Sequence, residues 1–164
     1  MTGSADLDEI KAVEVLKARY CRCLDTKDWD GFRGVFTEDF QSDTTDSGGS
    51  IINGRDEFVA FVRKVLDKRV TVHQVQQPEI VITSPTTACG VWAMQDVVRF
   101  APGVTLHGFG HYDETYEKAD GQWRIKSSTL TRLREEIQTP VFSVFVSDRL
   151  RRRLSRAARR RTSP

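Results

Sequence analysis

Lys118-Ala119-Asp120-Gly121-Gln122-Trp123-Arg124-Ile125 decides how this chain folds. Asp-Gly suits both central positions of a tight hairpin turn, where the backbone needs angles that few residue pairs adopt. The flanking residues have a period of two, so the stretch reads as two antiparallel strands joined by that turn. The same period runs through 70–76, 79–83, 88–100, 104–118 and 122–132, with breaks at Pro78, Ser84-Pro85, Pro102-Gly103 and Asp120-Gly121. Before residue 70 the period is helical. Ile10, Val13, Leu16, Tyr20 and Cys23/Leu24 predict a helix over about 7–24, entered through an Asp6/Glu9 capping box. Trp29, Phe32, Val35 and Phe36 mark a short second helix, begun by Asp28 and Asp30. Glu38-Asp39-Phe40 opens a strand, Gly48-Gly49 tips a polar loop, and Phe58, Phe61, Val62, Val65 and Leu66 predict a third helix over about 55–68. Helices first and long antiparallel strands after is the α+β pattern. A strongly curved sheet closed by three N-terminal helices makes a cone-shaped α+β barrel with a pocket inside, a usual place for a small apolar ligand.

With 164 residues and 38% hydrophobic content, the chain is long enough for one well-buried core. It holds no apolar run near the ~18 residues that span a bilayer, and no secretory signal opens it. Cys21, Cys23 and Cys89 are an odd set. The first two lie about 200° apart around a helix, which is poor geometry for a shared metal. They read as reduced thiols of a cytoplasmic protein. Charge is segregated: residues 149–164 carry eight arginines and no acid, which leaves 17 basic against 23 acidic residues elsewhere, a net of −6. An acidic body argues against a nucleic-acid-binding domain. The chain divides into a domain over 1–137 and a tail over 138–164. There Phe142, Val146, Leu150 and Leu154 recur every four residues and predict an amphipathic helix over about 141–157.

Four polar residues interrupt apolar patterns: Tyr20 and Asp25 at the end of the first helix, His73 in Val70-Thr71-Val72-His73-Gln74-Val75, and Asp96 in Trp92-Ala93-Met94-Gln95-Asp96. A carboxylate that orients an imidazole, with a phenol nearby, is a proton-transfer apparatus. Tyr20 and Asp25 are about 140° apart on an ideal helix, so both reach one pocket only where the helix ends near Asp25. Asp96 shares a strand face with Trp92 and Met94, and an arginine such as Arg132 or Arg134 is its structural partner. His107 and His111 share the other parity from Tyr112, and at roughly 13–14 Å apart cannot both serve one reacting atom.

Arg19-Tyr20-Cys21-Arg22-Cys23-Leu24-Asp25, then Asp28-Trp29-Asp30-Gly31-Phe32, then Ile52-Asn53-Gly54-Arg55-Asp56, then Gly110-His111-Tyr112-Asp113 resembles the SnoaL-like branch of the nuclear transport factor 2-like superfamily. The likeness covers about residues 5–135. Eliminating members such as scytalone dehydratase, bile-acid 7α-dehydratase and hexachlorocyclohexane dehydrochlorinase pair a strand histidine with an aspartate ending the first helix. The resemblance puts these at His73 and Asp25, the tyrosine one turn earlier at Tyr20, a further aspartate at Asp96 and a second histidine at His111. It implies a lyase or isomerase needing no cofactor and no metal, with His73 as general base. It also implies a small, cyclic, mostly apolar ligand (a steroid, polyketide or aromatic) and a homo-oligomer, a trimer ahead of a dimer. A non-catalytic binding module on the same cone is the alternative reading.

Overall fold

The computed structural model describes residues 4–147. Helix α1 (Ser4–Thr26) and a single turn and a half, α2 (Trp29–Arg33), precede strand β1 (Phe36–Asp43). A 3₁₀ turn at Thr45–Ser47 and strand β2 (Ile51–Asn53) lead into α3 (Arg55–Leu66). The remainder is sheet: β3 (Thr71–Ser84), β4 (Thr87–Ala101), β5 (Val104–Ala119), β6 (Gln122–Gln138) and the short β7 (Ser143–Phe145). The order is β2-β1-β6-β5-β4-β3, with β7 added to β6. Every pair is antiparallel except β1 with β6. Among the described residues, no helix is long and apolar enough to cross a membrane.

The Asp-Gly turn forms as its sequence requires, with φ at 52° for Asp120 and 74° for Gly121. It sets a register in which Tyr112 faces Trp92 and Leu130, and Gly108 faces Asp96. Partnered residues share a face. The buried positions of β4 and β5 therefore form one concave surface, from Ala88 through Val98 and from Gly108 through Tyr116. Bulges in β6, between the partners of Phe109/Gly110 and of Thr115/Tyr116, bend the sheet around the helices. The concave side is filled at one end by aromatic rings. Phe36 lies 4.4 Å from Phe40 and 5.0 Å from Phe32, and Phe40 lies 4.9 Å from Phe58, all between ring centroids.

Three expectations need correction. Pro78 does not divide two strands, because β3 runs unbroken from Thr71 to Ser84 with a bulge between Gln76 and Glu79. Gln77 takes a positive φ of 50° there. β3 is the sheet edge, where a residue without an N–H is tolerated. The capping box also fails: α1 begins before Asp6, and Glu9 instead accepts hydrogen bonds from Lys118 Nζ (2.7 and 2.8 Å) and Trp123 Nε1 (2.6 Å) on the hairpin. The tail is not helical where it is described. A Thr139 N–H to Phe142 carbonyl bond closes a turn at Pro140, and Ser143–Phe145 then pairs with Glu136–Gln138. The four-residue spacing suggested a helix, but Val141, Phe142, Val144 and Phe145 are β-branched and aromatic, and β6 offers them an open edge. The rest of the expected helix, and the arginine-rich segment, lie outside the described residues.

Candidate active site

Asp25 is in the last turn of α1 and His73 is the third residue of β3. Asp25 Oδ1 stands 2.7 Å from His73 Nδ1 and accepts from Thr71 Oγ1 at 2.8 Å; its Oδ2 accepts from the His73 backbone N–H at 2.7 Å. Lys27 Nζ holds Thr71 Oγ1 in turn, at 2.7 Å. The carboxylate is thus fixed by both the backbone and the ring of the histidine it orients. Burial pushes the Asp25 carboxyl upward, but the His73 side-chain and backbone hydrogen bonds, the His73 charge and Thr71 outweigh it, and the net shift is downward. An ionised Asp25 accepts a hydrogen bond from Nδ1–H, which leaves Nε2 as the basic nitrogen.

His73 borders a cavity of about 250 Å³ inside the cone. Leu24 of α1, Phe58, Phe61 and Val62 of α3, and Val98 and Leu130 of the sheet supply an apolar wall; Tyr20, Asp96, Tyr112, Ser128 and Arg132 supply polar groups. Tyr20 and Asp25 serve one site because α1 ends at Thr26, directly after Asp25. The Tyr20 and Tyr112 rings meet edge-on, with centroids 6.1 Å apart and planes at 69°. Burial, the largest effect on each phenol, raises both well above their ordinary value, so both stay protonated as donors.

Asp96 lies directly opposite His73 on the neighbouring strand. Its Oδ2 meets Arg132 Nη2 at 2.5 Å, and Arg132 Nη1 reaches Met94 Sδ at 3.5 Å. Both side chains are more than nine-tenths buried. Burial works against the Arg132 charge, but the Asp96 hydrogen bond and charge overcome it and raise its pKa further. Asp96 Oδ1 and Arg132 Nε have no hydrogen-bond partner, although Glu135 Oε1 stands 3.6 Å from Nε. The pair crosses β5 at Gly108, where a Cβ would run into both Arg132 Nη1 and Asp96 Oδ1.

Residues 5–129 match the family described as the SnoaL-like domain. The chain belongs to that family. Its architecture, few helices on a curved mixed sheet, is the cone of the nuclear transport factor 2-like superfamily. A curated relative, probable cyclase FGR4 of Gibberella zeae, is 27% identical over 129 residues, covering 71% of this chain and 86% of the relative. A scytalone dehydratase candidate from Novosphingobium aromaticivorans superposes with a TM-score of 0.73 at 22% identity, over 79% of this chain and 87% of that one. A hexachlorocyclohexane dehydrochlorinase from Novosphingobium barchaimii superposes with a TM-score of 0.69 at 14% identity, over 86% and 92%. At these identities the two structures report the shared fold alone.

Within this SnoaL-like cone, Tyr20, Asp25, His73 and Asp96 come together as their positions suggested, and His111 does not. His111 pairs with Ala93 and Thr131 on the outer face of the sheet, as does His107 with Val97 and Glu136. The inward parity of β5 belongs to Gly108, Gly110, Tyr112, Glu114 and Tyr116. The sequence carried the missing signal. Asp96 and Trp92 are inward on β4, so their partners Gly108 and Tyr112 are inward on β5, and His111 is excluded once the register is known. Tyr112, Ser128 and Arg132 were not read as lining residues for want of that register.

Proposed function

We propose that this protein is a cofactor-independent lyase or isomerase acting on a small, cyclic, mostly apolar substrate, with His73 as general base and Asp25 as its orienting carboxylate. The observation that supports this best is the 2.7 Å contact between His73 Nδ1 and Asp25 Oδ1 at the wall of a largely apolar cavity. His73 Nε2 removes a proton next to a carbonyl, and the Asp25 charge stabilises the imidazolium that forms. The electron pair left on carbon forms the new double bond. A phenol proton of Tyr20 or Tyr112 meets the oxygen on which charge builds. The imidazolium then returns its proton, either to a leaving hydroxyl that departs as water or to a different carbon. Asp96 and Arg132, opposite His73, orient the substrate oxygens.

A volume of about 250 Å³ falls below the ~300–1,000 Å³ usual for ligand pockets. It favours one or two rings, as in aromatic or polyketide fragments, over a four-ring steroid. The same reading carries a homotrimer in the cytoplasm, which sedimentation analysis of the purified protein tests.

Deuterium wash-in at the α-carbon of cyclic ketones and β-hydroxy ketones, followed by NMR, reads proton abstraction itself and serves either reaction. His73→Ala is expected to lower that exchange by about 10²–10⁴. Exchange that persists undiminished in this variant would rule the mechanism out.

A further inference from the structure

Lys17 and Glu114 are charged side chains with no solvent exposure, and their hydrogen bonds go to each other, Ser128 and Tyr116 rather than to His73 or Asp25. Lys17 lies one turn before Tyr20 on α1, and Glu114 lies two residues past Tyr112 on β5. The Lys17 ammonium is 2.6 Å from Glu114 Oε1, 4.2 Å from the centre of the Tyr20 ring and 3.8 Å from that of Tyr112. It is therefore wedged between the two phenols. Glu114 Oε1 also accepts from Ser128 Oγ at 3.0 Å. Its Oε2 accepts from the Tyr116 hydroxyl at 2.7 Å, and that oxygen accepts from Trp92 Nε1 at 2.7 Å. Tyr20, Tyr112 and Ser128 all line the cavity, so the ion pair lies directly behind part of its wall.

Counting protons shows what this arrangement presents to a ligand. Each tyrosine carries one hydroxyl proton, so the pair brings phenol donors to this wall. Ser128 gives its only hydroxyl proton to Glu114 and faces the cavity as an acceptor. Burying two charges is expensive, and apolar side chains of similar volume are often at least as stable in their place. Stability alone therefore does not account for the pair.

We infer that Lys17 and Glu114 are positioning residues that polarise this wall of the cavity. Lys17 sets the two tyrosine rings so that a phenol proton faces the ligand, and Glu114 fixes the Ser128 hydroxyl so that its oxygen does. The inference rests on the cavity being the catalytic site, and its test separates the two ideas.

The probe is 4-nitrophenol, whose absorbance reports both binding and ionisation. Wild-type protein binds it at the tyrosine donor and lowers the pH at which it ionises. The neutral double variant Lys17→Met/Glu114→Gln binds it about tenfold more weakly, the equivalent of one hydrogen bond, and loses the ionisation shift. His73 is present in both proteins, so the difference reads the ion pair. Lys17→Arg keeps the charge but not the fit between the rings; it is expected to weaken binding likewise and serves if the double variant does not fold. Equal affinity and equal ionisation shift in wild type and folded variant overturn the role of the pair and leave the cavity reading intact. If the wild type does not bind the probe, or the Tyr20→Phe/Tyr112→Phe double variant binds it undiminished, both ideas fall.

Discussion

Asp25 binds the His73 ring, the His73 backbone and the Thr71 hydroxyl with one carboxylate, so changing it tests orientation separately from charge. Asn keeps the shape but can donate to Nδ1, which favours the tautomer whose Nε2 carries the proton and cannot act as a base. Asp25→Asn should therefore lower turnover by about 10²–10⁴ with little change in substrate affinity, read as kcat against KM. The same residue predicts a pH signature. Its folded pKa lies below the ordinary value of 3.8, so ionised Asp25 stabilises the fold at pH values above 3.8, and that stabilisation is lost as pH falls through the lowered pKa. The gap in urea midpoint between wild type and Asp25→Asn should hold near neutrality and close below pH 3.8. A gap that widens on acidification contradicts the assignment. His73, Asp25 and Tyr20 were legible because each breaks an apolar pattern at the end of an element or in mid-strand. Lys17 was not, because a lysine within an amphipathic helix reads as surface until its strand partner is known.

At the scale of elements, the period-two runs and the Asp-Gly turn located four long strands, and the turn itself can be tested cleanly. A Cβ at Gly121 would meet nothing within 4 Å, but φ is 74°. Gly121→Ala should cost about 1 kcal/mol in chemical denaturation through backbone strain alone and leave turnover unchanged. Gly108 is the contrasting case: its Cβ would enter the space of Arg132 and Asp96. Gly108→Ala should cost about 1–3 kcal/mol and reduce activity as well, because relief comes only by parting that pair. Two of the readings that failed, a break at Pro78 and a helix in the described residues beyond Pro140, fall where sheet edges decide the outcome. Propensity and periodicity say whether a segment suits a strand or a helix. They do not say whether an open edge lies beside it.

Across the whole molecule, the site exists only where distant segments meet: the end of α1, the start of β3, the middle of β4 and the far half of β6. That assembly is why the family likeness could suggest the aspartate and histidine, and Asp96 could suggest an arginine partner such as Arg132, while Tyr112 and Ser128 needed the register of the strands. The Asp96–Arg132 pair shows the consequence most plainly, because it ties β4 to β6 across β5 and also lines the cavity. Removing one partner strands a charge that is more than nine-tenths buried. Arg132→Leu should therefore cost about 3–5 kcal/mol, or roughly 10 °C in melting midpoint for a chain of this size. Replacing both, Asp96→Leu with Arg132→Leu, removes the stranded charge and should recover most of that stability. Turnover should not recover with it, because a refolded apolar cavity no longer orients the substrate oxygens opposite His73. Melting curves and turnover on the same three proteins separate the contributions. A double variant that regains both stability and activity would reduce the pair to a brace for the sheet.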